Sequence, residues 1–135
     1  RKWFWRGRRL ICLLYWARWG VDMAGSFKVL GQVRPSGTGA VSLYSPPADT
    51  DTIVSMIKCC HVGILPADVS VYLDDDGSTF SEATALHYQV ELFPGETLEV
   101  TGTITLNDPT GSIGVQSSVA NAITFTIFGD EVSTA

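Results

Sequence analysis

From Leu86 to Leu92, the residues Leu86, Tyr88, Val90 and Leu92 fall on one side of an extended chain, and His87, Gln89 and Glu91 on the other. That period of two marks a half-buried antiparallel strand, and it predicts that the four apolar side chains point inward. The same rhythm recurs in Leu98, Val100, Ile104 and Leu106, set against Thr97, Glu99, Thr101, Thr103 and Thr105, with Gly102 at an inward position where a bulge is expected. It closes the chain in Ile123, Phe125 and Ile127. Further strands are expected at Phe27–Val33, Val41–Ser45, Ile53–Val62, Val69–Leu73 and Ile113–Val119, which makes about eight in all. Nowhere do apolar residues keep helical spacing for long enough to matter. Turn residues separate the strands, and Pro94-Gly95 is read as the type II turn of a hairpin joining Leu86–Leu92 to Thr97–Leu106. Eight short strands at this spacing predict an all-β fold, an antiparallel two-layer β-sandwich with jelly-roll or Greek-key connections.

With 135 residues the chain has room for one ordinary domain and none for a second. Its charge is split. Residues 1–22 hold six of the nine basic groups, all four Trp and one acid; the remainder has three bases against thirteen acids, a net of −10, and no Trp. The first 22 residues are therefore read as a leader outside the fold, and residues 23–135 as the sandwich domain. Upstream sequence translated in frame before a start at Met23 is the favoured origin of the leader; Trp19-Gly20-Val21 forces a purine-rich run of bases where a ribosome-binding site would lie. An interfacial helix and a signal peptide are the alternatives. An acidic body repels phosphate, so no nucleic-acid partner is expected. No apolar run reaches the eighteen or so residues of a membrane span, so no membrane partner is expected either and the chain reads as soluble.

The candidate sites are few. Cys59 and Cys60 are neighbours on one strand, so their side chains leave opposite faces, and free thiols made in a reducing bacterial cytoplasm are expected. Cys59-Cys60-His61 lacks the paired ligand spacing of a metal module. Asp74, Asp75 and Asp76, followed by Gly77, are a weak calcium candidate, because the alternating spacing and closing glutamate of a calcium loop are missing; the tip of a turn accounts for them more simply. No strained nucleophile motif and no glycine-rich phosphate loop occurs, so no catalytic residue, no enzyme and no cofactor is expected. The strands carry few charges, which leaves sheet edges poorly guarded and points toward assembly with other chains.

FKVLGQ at Phe27–Gln32, LYSPP at Leu43–Pro47, TIVSMIKCCHVG at Thr52–Gly63, ETLEVTGTITL at Glu96–Leu106 and FTIFGDEV at Phe125–Val132 together resemble a group of small proteins encoded among the structural genes of tailed bacteriophages. Cys60-His61-Val62-Gly63 and the aspartate run depart from that group's pattern, which affects the loops rather than the sandwich. The resemblance implies a virion structural protein, a head decoration (cement) or tail accessory component that forms homo-oligomers and binds other capsid or tail proteins. Phe27, Val29, Pro46, Pro47, Phe128 and Gly129 are the expected interface residues, because termini and loops reach neighbours without breaking the sandwich. The alternative is a receptor- or carbohydrate-binding module on a phage fibre. It would need paired aromatic rings on the surface, with Tyr44, Tyr72, Phe80 and Phe93 available, and a calcium-dependent adhesion domain is a third option.

Overall fold

The computed structural model describes residues 26–134; the leader, Cys12 and the boundary at residue 23 lie outside the described residues. Eight strands run in the order β1 (Ser26–Val33), β2 (Val41–Tyr44), β3 (Thr50–His61), β4 (Ala67–Asp74), β5 (Ala85–Leu92), β6 (Thr97–Leu106), β7 (Ser112–Ser117) and β8 (Ile123–Ser133). They form two four-stranded sheets, sheet I in the order β1-β8-β3-β6 and sheet II in the order β2-β7-β4-β5. Every pairing is antiparallel, and β1 meets β8, β2 meets β7, β3 meets β6 and β4 meets β5. Such nested pairing is what a long hairpin gives when it is rolled into two layers, so of the two connection schemes left open by the sequence the chain adopts the jelly roll.

The inner faces meet in one core. Val54, Ile57 and Cys59 from β3 and Ile123, Phe125 and Ile127 from β8 are fully buried against Val69 and Val71 of β4 and Ile113 and Val115 of β7. Removing each such side chain from water contributes about 1.5–3 kcal/mol. A polar group closes the core at one end: the Tyr44 hydroxyl lies 2.8 Å from Thr52 Oγ1 and donates to Glu131 at 2.5 Å, and Lys28 pairs with the same carboxylate. Burial, reinforced by the Glu131 hydrogen bond, pushes the Tyr44 phenol up to about 12. The bonds from Lys28 and Tyr44 hold Glu131 below its ordinary value.

Two expectations about the middle of the chain are corrected. The Pro94-Gly95 turn exists, with the Glu96 N–H donating to the Phe93 carbonyl and Gly95 at φ +85°. It does not close a hairpin, because β5 pairs with β4 in sheet II while β6 pairs with β3 in sheet I. The turn instead carries the chain from one layer to the other, and the Gly95 and His61 backbones bond across it. The alternation in β5 also breaks. Leu92 and Val90 turn inward as expected, but the register shifts twice beyond them, and Leu86 and Tyr88 are exposed. The cause is a bulge at Gln89, which sits at φ +51° with its N–H held by the Ser70 hydroxyl at 3.0 Å. An extra residue in an edge strand re-aims the side chains on its far side, here those that precede Gln89.

In sheet I the irregularities line up. Relative to β8, an extra residue is inserted at Leu30 in β1 and at Ser55 in β3; relative to β3, another is inserted in β6 between Thr101 and Ile104. The expected Gly102 bulge is the last of these, and its φ of +129° is open only to glycine without strain. The Ser55 hydroxyl donates to the Phe128 carbonyl at 3.2 Å, giving the bulge a partner. Because β3 changes phase there, Thr52 and Val54 before the bulge and Ile57, Cys59 and His61 after it all face inward.

Candidate functional site

On sheet I the outward side chains on adjacent strands form rows. One row runs Phe27, Asp130, Ile53, Thr105, and the next runs Val29, Phe128, Met56, Thr101. Phe27 is 73% exposed, Val29 and Ile53 are also exposed, and Phe128 and Met56 are half-buried. The next row along the same face is polar: Gln32 donates to Thr126 at 2.9 Å and Lys58 pairs with Glu99 at 3.5 Å. The apolar part is therefore a bounded patch beside β1, an edge strand among the described residues. A contiguous apolar patch rimmed by polar residues is the ordinary mark of an interaction surface.

Asp130 makes the patch unusual. It lies between Phe27 and Ile53 in the row, is only 6% exposed, and its Oδ1 finds no hydrogen-bond partner among the described residues. Leaving a buried carboxylate oxygen unpaired costs on the order of 1–3 kcal/mol, so such atoms normally have a donor supplied from somewhere.

The interface residues expected from sequence divide accordingly. Phe27, Val29 and Phe128 come together in the patch. Gly129 lies beneath it, facing inward, and a Cβ there would run into the Ile53 carbonyl. Pro46 is buried and Pro47 exposed in the loop that leads into β3. Ile53, Met56 and Asp130 were not singled out from sequence. Ile53 and Met56 share the face only because of the phase change in β3, which no residue type marks, whereas Asp130 is visible as an acid beside the apolar residues of a closing strand.

Sheet II shows a different outer face. Phe80, from the β4–β5 connection, lies across Gly114, where a Cβ would come within 2.6 Å of its ring. Its ring stacks on Tyr72 with centroids 6.0 Å apart, and the Tyr72 hydroxyl donates to Gln116 at 2.6 Å. The two rings are side by side as a sugar platform would require, but Tyr72 is 3% exposed and covered. Tyr44 is inside, and Phe93 is exposed in the β5–β6 turn.

The remaining candidates are committed elsewhere. Asp74, Asp75 and Asp76 gather with their oxygens within 4.8 Å of one another. However, the Asp74 carboxylate accepts the backbone N–H groups of Thr79 at 2.7 Å and Asp76 at 3.3 Å, which is the bonding of a turn. Those bonds, that from Thr79 first, hold Asp74 below its ordinary value, while its bond to Asp74 and the neighbouring charges raise Asp76. Cys59 and Cys60 are free thiols, Cys59 inside the core and pushed up to about 12 by burial. His61 Nδ1 accepts from the Gly63 N–H at 3.1 Å and Nε2 lies 2.6 Å from the Leu65 carbonyl, so both ring nitrogens are engaged in holding the β3–β4 loop. Among the described residues no helix is long and apolar enough to cross a membrane.

No family model matches this sequence, and no curated protein matches it. Among solved structures the chain is similar to the CBM22-1 xylan-binding domain of Xyn10C from Paenibacillus barcinonensis, with 15% identity over 82% of this chain and 85% of that one and a TM-score of 0.36. It is also similar to a chain in the structure of infectious bursal disease virus, Gt strain, with 13% identity over 82% of this chain and 32% of that one and a TM-score of 0.38. The chain thus spans about a third of that viral chain. The molecule is an antiparallel β-sandwich, and neither likeness carries a role over to it.

Proposed function

We propose that this protein is a non-enzymatic structural component of a tailed-bacteriophage particle, a head decoration or tail accessory protein, and that the outer face of sheet I is its assembly surface. The observation that carries the reading is Asp130: a buried carboxylate oxygen without a donor among the described residues, set among exposed apolar side chains, supports a surface built to be covered. A covering chain supplies a donor to Oδ1 and buries Phe27, Val29 and Ile53. Each of these contributes up to about 1.5–3 kcal/mol, against an association cost of about 4–15 kcal/mol, so one contact is weak and a symmetric particle multiplies it. No residue turns over a substrate on this reading. His61, the histidine nearest the two cysteines in sequence, is occupied by backbone groups.

The test is to purify particles produced by the genome that carries this gene and quantify their proteins by mass spectrometry. The chain is expected in a fixed ratio to the major capsid or tail protein, and Ile53→Lys is expected to lower that ratio at least tenfold. Absence of the wild-type chain from the particles would refute the proposal.

A further inference from the structure

The outer face of sheet II is not covered along its whole length. Phe80 shields Tyr72 and Gly114, but beyond them a polar cleft of about 130 Å³ opens, lined by Asp68, Ser70, Tyr88, Gln89, Gln116 and Ser118. The strand register explains how these six meet. Ser70 faces Gln116 across β4 and β7, and next along that face the Asp68 and Ser118 backbones bond to each other. Tyr88 and Gln89 come from the neighbouring edge strand β5, and they stand at the cleft because of the Gln89 bulge. A regular β5 would have turned Tyr88 into the core. Instead a non-glycine residue is held at φ +51°, and the tyrosine is left 43% exposed on the outer face. Backbone strain of this kind costs about 1–3 kcal/mol and persists where it positions something.

The hydrogen-bonding groups at the cleft are fixed from behind and leave capacity in front. The Ser70 hydroxyl accepts the Gln89 N–H at 3.0 Å, and the Ser118 hydroxyl accepts the Asp68 N–H at 2.8 Å; each keeps its own proton to donate. Gln116 accepts from the Tyr72 hydroxyl and donates to the Thr38 carbonyl at 3.0 Å, which locks the amide and leaves one N–H over. The Asp68 carboxylate and the Gln89 amide have no side-chain partner among the described residues. Donors and acceptors therefore alternate over a short span beside one aromatic ring.

This chemistry narrows the ligand. Asp68 and a body of net charge −10 disfavour an anion. A single carboxylate is too few hard ligands for a calcium ion, which takes six to eight oxygens. The polar lining disfavours a hydrocarbon, and the volume is well below the roughly 300 Å³ at which drug-sized pockets begin. What remains is a small neutral ring bearing adjacent hydroxyls, each able to give and take a hydrogen bond, with an apolar C–H face to lie on Tyr88. We infer that this cleft binds one neutral saccharide ring, with Tyr88 as the platform and Asp68, Ser70, Gln89, Gln116 and Ser118 reading its hydroxyls.

The experiment titrates the full chain, labelled with ¹⁵N, with the methyl glycosides of glucose, galactose, mannose and N-acetylglucosamine, and with inorganic phosphate. At least one glycoside is expected to bind with a Kd of about 1 mM and to shift the amides of residues 68, 70, 88, 89, 116 and 118. Tyr88→Ala should weaken that binding about tenfold and Tyr88→Phe should leave it within about twofold, since the ring and not the hydroxyl makes the platform. Asp68→Asn, which keeps the side-chain shape, should weaken it about tenfold and serves as the second probe if Tyr88→Ala fails to fold. No shift with any glycoside, shifts that map elsewhere, phosphate binding as tight as the best sugar, or an unchanged Kd in both Tyr88→Ala and Asp68→Asn would each overturn the assignment.

Discussion

The two outer faces of this sandwich are built from the same alternation and reach opposite outcomes. On sheet II a loop folds back: Phe80 covers Gly114 and stacks on Tyr72, whose hydroxyl is tied to Gln116. On sheet I nothing among the described residues lies over Phe27, Val29 and Ile53, and Asp130 waits among them without a donor. Where the chain covers a face for itself, as Phe80 does over part of sheet II, the cover serves stability. The face that the chain leaves incomplete is available to another molecule, and mutations should separate the two roles.

The largest expected effect on stability lies beneath the Phe80 cover. Tyr72→Ala removes a buried ring and the bond to Gln116, and should cost about 3–5 kcal/mol in denaturant unfolding while the assembled state of what still folds is unaffected. Gly114→Ala sets a methyl group against the Phe80 ring and should cost about 1–3 kcal/mol, with increased exposure of Phe80. A loss as large from Ile53→Lys would break the comparison, because that exposed position should change stability by no more than about 0.5 kcal/mol and act on assembly alone.

Asp130→Val sharpens the contrast. Replacing a buried, unpaired carboxylate by an apolar group should stabilise the isolated chain by about 1 kcal/mol and, by removing the acceptor, weaken association measured by sedimentation. The same sign in both measurements would mean that the carboxylate has no role at an interface. The smallest effects are those of pH. Glu131 is lowered by Lys28 and Tyr44, so its contribution is present above its unfolded value of 4.5 and is lost as pH falls through the lower folded value. Tyr44 is raised from 10.0 to about 12, so its contribution holds below pH 10 and is lost as pH rises through that window. Thermal melts from pH 2 to 12 should show both flanks, with Glu131→Gln flattening the acid one and Tyr44→Phe the alkaline one.

Much of this architecture was legible in the residues. Each expected strand exists within about three residues at either end, apart from the continuation of β8 to Ser133, because alternation and turn chemistry agree along most of the chain. Gly102 announced its bulge because glycine in a strand has few other uses. The Gln89 bulge had no such marker: a glutamine at positive φ looks like any polar residue in an alternating run, and what fixes it is Ser70, nineteen residues earlier. For that reason the most regular stretch of the sequence misplaced Leu86 and Tyr88. The Phe80 cover rests on a contact between a loop and a strand thirty-four residues later, and Gly114, where a Cβ would meet the Phe80 ring, was not singled out in the sequence. The apolar patch on sheet I was half visible, through Phe27, Val29 and Phe128. The rest depended on the phase change at Ser55, which decides that Met56 shares the outward row with Val29 and Phe128.

That phase change belongs to a line of insertions crossing sheet I from Leu30 to Gly102. On β1, an edge strand among the described residues, the insertion at Leu30 divides the backbone into two short runs, residues 26–29 and 31–33, that do not lie on one straight ladder. A newcomer adding itself sideways could match one run only by mismatching the other. Fibre-like growth along this edge is thereby discouraged, and a partner is left the broad face of the sheet, which can be satisfied once, rather than its edge.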